Sequence, residues 1–111
     1  LFIEDVDEPI YKIERILYQL KMRGVLPRLA GLVVGQFTGY NVEENHNKEF
    51  ASMYAMIQSM VAEYGYPVAF NFPIGHGDDN RPVLCGARVH LHVGDDRVRL
   101  RQPGALDEGQ R

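Results

Sequence analysis

The run Leu32-Val33-Val34 lies between two stretches of helical periodicity, and it constrains the fold more than any other feature. A strand with one wet face alternates apolar and polar residues. This run, inside Leu29 to Phe37 ("LAGLVVGQF"), is continuous, which implies cover on both faces. Upstream, Ile10, Ile13, Leu17 and Leu20 recur at helical spacing, and Ile16 widens the stripe. Lys12, Glu14, Arg15, Gln19 and Lys21 fall mostly elsewhere on the wheel. Asp7 is placed to cap this helix with Pro9 near its first turn, and Gly24 to end it behind Lys21 and Arg23. Downstream, the polar stretch "TGYNVEENHNKE" reads as a loop. A second helix follows, with Phe50, Met53, Ile57, Met60, Val61 and Tyr64 as its stripe and Gly65 at its end.

Around this frame, Leu1-Phe2-Ile3-Glu4 reads as a buried strand whose carboxyl end is Glu4, and "PVAFNF", Pro67 to Phe72, as a third strand. "PIGHGDDNRP" is a loop and "VLCG" a short strand. Arg88 to Val93 and Arg97 to Arg101 each alternate and flank the turn "GDD", a hairpin pattern. The order strand, helix, strand, helix, strand and hairpin predicts an α/β fold: a mixed sheet with two crossover helices and a late antiparallel hairpin. Residues 1–101 read as one domain and 102–111 as a tail without periodicity. No internal repeat is visible.

Composition narrows the function. The chain has 111 residues, enough for one domain with a core that needs no staple. One cysteine, Cys85, excludes an internal disulfide and suits a reducing compartment. A net charge of -3 does not favour nucleic acid, and the apolar runs are far too short to span a membrane. The chain opens in mid-strand with "LFIEDVDEP", without Met or a signal-peptide pattern. The expectation is a piece of a longer protein.

His46 sits in the polar loop and reads as solvated. His90 and His92 share one strand face and could chelate a metal, with only Asp95 and Asp96 nearby as further ligands. The alternative is a wet hairpin face beside Arg88, Arg97, Arg99 and Arg101. His76 differs, because Gly75 and Gly77 leave it uncovered and let a partner approach. Its loop follows a strand, where α/β proteins place ligands. Local sequence leaves it open between a general base and a turn histidine without a task. Glu4, closing its strand, could orient an imidazole or, with Asp5, Asp7 and Glu8, support the first helix through its dipole. No nucleophile is evident. Ser52 and Ser59 read as lying inside the second helix, and Cys85 as buried filler on a strand.

The blocks "LFIEDVDEPIYKIERILYQLKMRGVL", "LAGLVVGQFT" and "PVAFNFPIGHGDDN" resemble, in order, the C-terminal domain of the serine LD-carboxypeptidases, the muramoyltetrapeptide carboxypeptidases. The resemblance runs from Leu1 to about Val93. It implies a swivelling β/β/α domain that supplies a Glu and a His to a Ser-Glu-His triad. Glu4 would be the acid, with Asp5 a less favoured substitute, and His76 the base framed by Gly75 and Gly77. The serine would come from an N-terminal domain of the same parent, so this chain alone would be inactive. The implied reaction is hydrolysis of the amide to a terminal D-alanine in cytoplasmic peptidoglycan peptides, during cell-wall recycling. No metal or organic cofactor is implied, and a homodimer is left open. A sister group, the microcin C immunity-type hydrolases, resembles the chain too, and a non-catalytic binding domain is the further alternative. Two stretches depart from the family pattern, "GYNVEENHNKEF" and "DDNRPVLCG", and both bear on substrate identity.

Overall fold

The structure, a computed structural model, describes residues 1–6, 8–38, 52–75 and 80–102. The elements are β1 (Phe2–Val6), α1 (Ile10–Met22), a 3-10 turn (Leu26–Arg28), β2 (Leu32–Thr38), α2 (Met53–Val61), a second 3-10 turn (Ala62–Tyr64), β3 (Val68–Ala69), β4 (His90–Val93) and β5 (Val98–Arg101). β1, β2 and β3 form a parallel sheet in that order, with Phe2 opposite Val33 and Val33 opposite Ala69.

This order explains the layering. Two successive right-handed crossovers that step the same way across a sheet leave both helices on one face. There Ile10, Ile13 and Leu17 of α1 and Met53, Met56 and Ile57 of α2 bury against Val34. The continuous apolar run of β2 then needs a second cover. The hairpin supplies it: Leu91 and Leu100 pack with Phe2, Val33 and Ile74 on the opposite face. The α/β class, the crossover helices and the late hairpin are as expected. The strands fall into two sheets, however, because the hairpin pairs only with itself, Leu91 opposite Leu100 and His92 opposite Arg99. It lies across the face of the parallel sheet, giving β/β/α layers.

Local chemistry fixes the ends. The N-cap position of α1 is Pro9, in extended conformation with no side-chain cap, while Asp7 lies outside the described residues. At the other end Val25 N–H donates to Leu20 O and Gly24 N–H to Lys21 O, with Gly24 at φ 77°. That is a Schellman closure. Ser52 caps α2 rather than lying inside it: its Oγ accepts from Ala55 N–H at 3.1 Å. "VLCG" is not a strand. Pro82 has no N–H to pair, and the chain turns at Cys85 and Gly86, where φ is 81°. Cys85 is therefore exposed rather than buried. His46, Phe50 and the tail beyond Gln102 lie outside the described residues.

Candidate functional site

The site centres on Gly35, midway along β2, while β1 runs past Glu4 to Val6 rather than ending there. Ile3 packs on the helix side and Phe2 on the hairpin side, so strand alternation sends Glu4 to the hairpin side and Asp5 to the helix side. Between Ile3 and Asp5 the register slips: β1 advances two residues while β2 advances from Val34 to Phe37. The extra residue of this bulge falls at Gly35-Gln36, opposite Glu4.

The third strand is interrupted too. After Ala69 the chain kinks at Asn71, whose φ of 55° is left-handed, a region that Asn tolerates better than most residues. Pairing then resumes: Phe72 N–H donates to Val34 O at 3.0 Å, Gln36 N–H to Ile74 O at 2.9 Å, and Gly75 bridges Gln36.

Gly35 is the floor on which both flanks rest. A Cβ there would stand 2.6 Å from both Cγ1 and O of Ile74 and 3.2 Å from Cβ of Glu4. Gly75, at φ 119°, is equally crowded: a Cβ would meet Gln36 O at 2.9 Å and Glu4 Oε2 at 3.1 Å. The exposed Glu4 carboxylate thus lies against the backbone of the residue that precedes His76. His76 and Gly77 themselves are outside the described residues.

Two hydrogen bonds close the base of the histidine loop. Arg81 N–H donates to Pro73 O at 2.7 Å, and Gly75 N–H donates to Asn80 Oδ1 at 3.2 Å. From α2, the Tyr54 hydroxyl donates to Gly35 O at 2.9 Å and lies 3.4 Å from Asn71 Oδ1, joining the bulge to the kink. An open cleft of about 560 Å³ runs beside these groups, with Glu4, Ile74, Gly75, Asn80, Arg81 and Cys85 among its walls.

Sequence reasoning singled out Glu4 and Gly75 but missed Tyr54 and Asn80. Nothing in a helical stripe tells which tyrosine will reach a strand carbonyl. Asn80 did carry a signal, since Asn side chains close turns on nearby backbone. The serines offer no nucleophile, as Ser52 is a cap and the Ser59 hydroxyl donates to Met56 O at 2.6 Å within its own helix. His90 and His92 are exposed on the hairpin face opposite the inward Leu91. Among the described residues no three His, Cys, Asp or Glu side chains cluster to hold a metal. No described helix is long and apolar enough to cross a membrane.

The fold and the cleft define an α/β domain in which Glu4, on the first strand of a parallel sheet, lies against the backbone of Gly75. Residues 1–91 match the model of the LD-carboxypeptidase C-terminal domain, and the chain belongs to that family. It is 34% identical over 95 residues to a protein of Bacillus subtilis described as a probable murein peptide carboxypeptidase, covering 86% of this chain and 29% of that one. The crystal structure of muramoyltetrapeptide carboxypeptidase from Oxalobacter formigenes superposes with a TM-score of 0.76 at 30% identity, over 90% of this chain and 34% of that one. The microcin C7 self-immunity protein shares the fold, with a TM-score of 0.56 at 22% identity over 67% of this chain and 21% of that one. The chain thus spans under a third of the curated relative's length.

Proposed function

We propose that this domain supplies the carboxylate and imidazole of a Ser-Glu-His triad in a serine LD-carboxypeptidase. The substrate is a peptidoglycan peptide, cleaved at the amide to its terminal D-alanine, in the cytoplasm and during cell-wall recycling. One observation carries the reading: Glu4 Oε2 stands 3.1 Å from the Cβ position of Gly75, the residue before His76. His76 follows Gly75 in the chain, and this supports the carboxylate and the imidazole sharing one site. The carboxypeptidase names of the relatives at 30% and 34% identity favour the peptide substrate.

In this mechanism a serine of an N-terminal domain attacks the scissile carbonyl carbon while His76 takes its proton. The tetrahedral intermediate collapses as His76 returns that proton to the departing D-alanine nitrogen. Water, deprotonated by the same imidazole, then hydrolyses the acyl-serine. Glu4 holds the ring tautomer and stabilises the imidazolium. Without that serine the 111-residue chain alone is inactive.

The test is D-alanine release from a tetrapeptide by the full-length protein. His76→Ala should lower kcat by roughly 10⁴-fold or more, and Glu4→Gln by roughly 10²- to 10⁴-fold. Turnover near wild type in His76→Ala would leave a non-catalytic binding module. Turnover of a peptidyl-nucleotide in place of the tetrapeptide would move the substrate to the microcin type.

A further inference from the structure

We propose that the outer face of the β4–β5 hairpin binds a diphosphate group carried by a small ligand in solution. Side chains of a strand alternate between two faces. Leu91 and Leu100 turn inward onto the parallel sheet. The outward positions of the two strands include His90, His92, Arg99 and Arg101, all exposed. The register sets them in two rungs, His90 opposite Arg101 and His92 opposite Arg99. Arg88 and Arg97, just outside the strands, are exposed as well.

Each of these four outward side chains is a cation or a nitrogen donor, in a chain whose net charge is -3. Opposite charges in such rungs strengthen a hairpin, and like charges weaken it. This hairpin keeps its acids, Asp95 and Asp96, in the turn. No ion pair or hydrogen bond among the described residues engages the four side chains. One ring is already laid along the face: a Cβ on Gly94 would meet His92 Cε1 at 3.1 Å. An anion seated across both rungs would offset the repulsion within them.

Spacing and composition point to the anion. Residues two apart on a strand root about 7 Å from each other, and opposite residues about 5 Å. The four groups therefore cover the reach of two adjacent phosphates rather than of a long polymer. The guanidinium fork matches a phosphate in two parallel hydrogen bonds, and phosphate carries more charge than a carboxylate. These positions hold no Tyr, Phe or Trp to stack on a base and no aliphatic side chain to enter lipid. None of them lines the cleft beside Glu4, so the site stands whether or not the triad does.

The experiment titrates the full-length protein with inorganic pyrophosphate, by calorimetry at low salt and by thermal melting. Saturable binding is expected, with orthophosphate about tenfold weaker. Arg99→Gln combined with Arg101→Gln should weaken pyrophosphate by about tenfold or more, since two charge-assisted contacts are lost. Without ligand this variant should melt at or above wild type, because two like-charge rungs are relieved. His90→Gln combined with His92→Gln, on the other strand, should weaken binding at least about threefold. It decides the question should the arginine variant melt below wild type. No saturable binding by wild type up to about 10 mM, or wild-type affinity in the histidine variant, would overturn the proposal. So would a single-stranded oligonucleotide or phosphatidylserine vesicles bound in an arginine-dependent way that pyrophosphate does not displace, which would give the face to nucleic acid or to a membrane.

Discussion

Gly35→Ala should damage stability and turnover by one and the same displacement. The new methyl would stand 2.6 Å from both Cγ1 and O of Ile74. A rotamer change could free Cγ1, but the carbonyl oxygen is backbone. To reach an ordinary contact of 3.4 Å, Ile74 must retreat about 0.8 Å from β2. Overpacking of this kind costs about 1–3 kcal/mol. The retreat also stretches the 2.9 Å bond from Gln36 N–H to Ile74 O, adding about 0.5–1.5 kcal/mol. The expected loss is about 2–4 kcal/mol. Gly75 must move with Ile74, away from Glu4, and a displacement near 1 Å lowers turnover about 10- to 100-fold. The assays are D-alanine release and thermal melting of the full-length protein, with Gly65→Ala as control. A Cβ at Gly65 meets nothing within 4 Å, and its φ of 74° alone should cost about 1–2 kcal/mol without touching turnover. If Gly35→Ala is no less stable than Gly65→Ala, the close approach is wrong. If stability falls and turnover does not, Gly35 packs the sheet without setting the site.

Tyr54→Phe keeps the ring against Phe70, 5.3 Å away between centroids, but removes the donor to Gly35 O. It should cost about 1–2 kcal/mol by melting, with a smaller fall in turnover than Gly35→Ala; an unchanged melting curve would sink the tether. Tyr66→Phe should stabilise the fold by up to about 1–3 kcal/mol, because the buried Tyr66 hydroxyl has no hydrogen-bond partner among the described residues. A lowered melting temperature would show that the hydroxyl has a partner after all. Stability should also fall at alkaline pH. The hydrogen bond and charge of Glu63 raise the proton affinity of Lys21, and burial first, then Tyr64, raises that of Tyr66. In both cases the folded state holds its proton longer than the unfolded chain. Their contributions are therefore complete below the ordinary values of 10.0 for Tyr and 10.5 for Lys and are lost as pH rises through the folded values. A melting temperature flat between about pH 9 and 11 would refute this, and salt should weaken the Lys21 share, since that pair is exposed.

The layers were legible because they follow from periodicity and handedness. Two helical stripes separated by a continuous apolar strand need parallel pairing, and the helices then share a face. The hairpin was legible as an element but not in its place. Alternation in "RVHLHV" and "RVRLR" states that one side is dry, not whether the hairpin extends a sheet by its edge or covers it by its face. Chain ends were less legible still. Asp7 competes with Pro9 for a cap, and Ser52 looks internal until the start of α2 at Met53 is known. Such choices depend on one or two local dihedral angles, which pattern alone does not carry.

The site shows the same division in sharper form. Glu4 was legible as an acid on an apolar strand but not as its end, because β1 runs on past it to Val6, while His76 and Gly77 lie outside the described residues. Beside Glu4 and Gly75 stand two irregularities: the extra residue at Gly35-Gln36 and the left-handed Asn71. Each is a deviation from the period that makes strands recognisable, so a reading by period passes over both. Opposite Glu4, β2 presents Gly35, and Glu4 and Ile74 close over that glycine to within 3.2 Å and 2.6 Å of where its Cβ would stand. Glu4 thus lies against Gly75 across a glycine, a close approach that no period in the sequence announces.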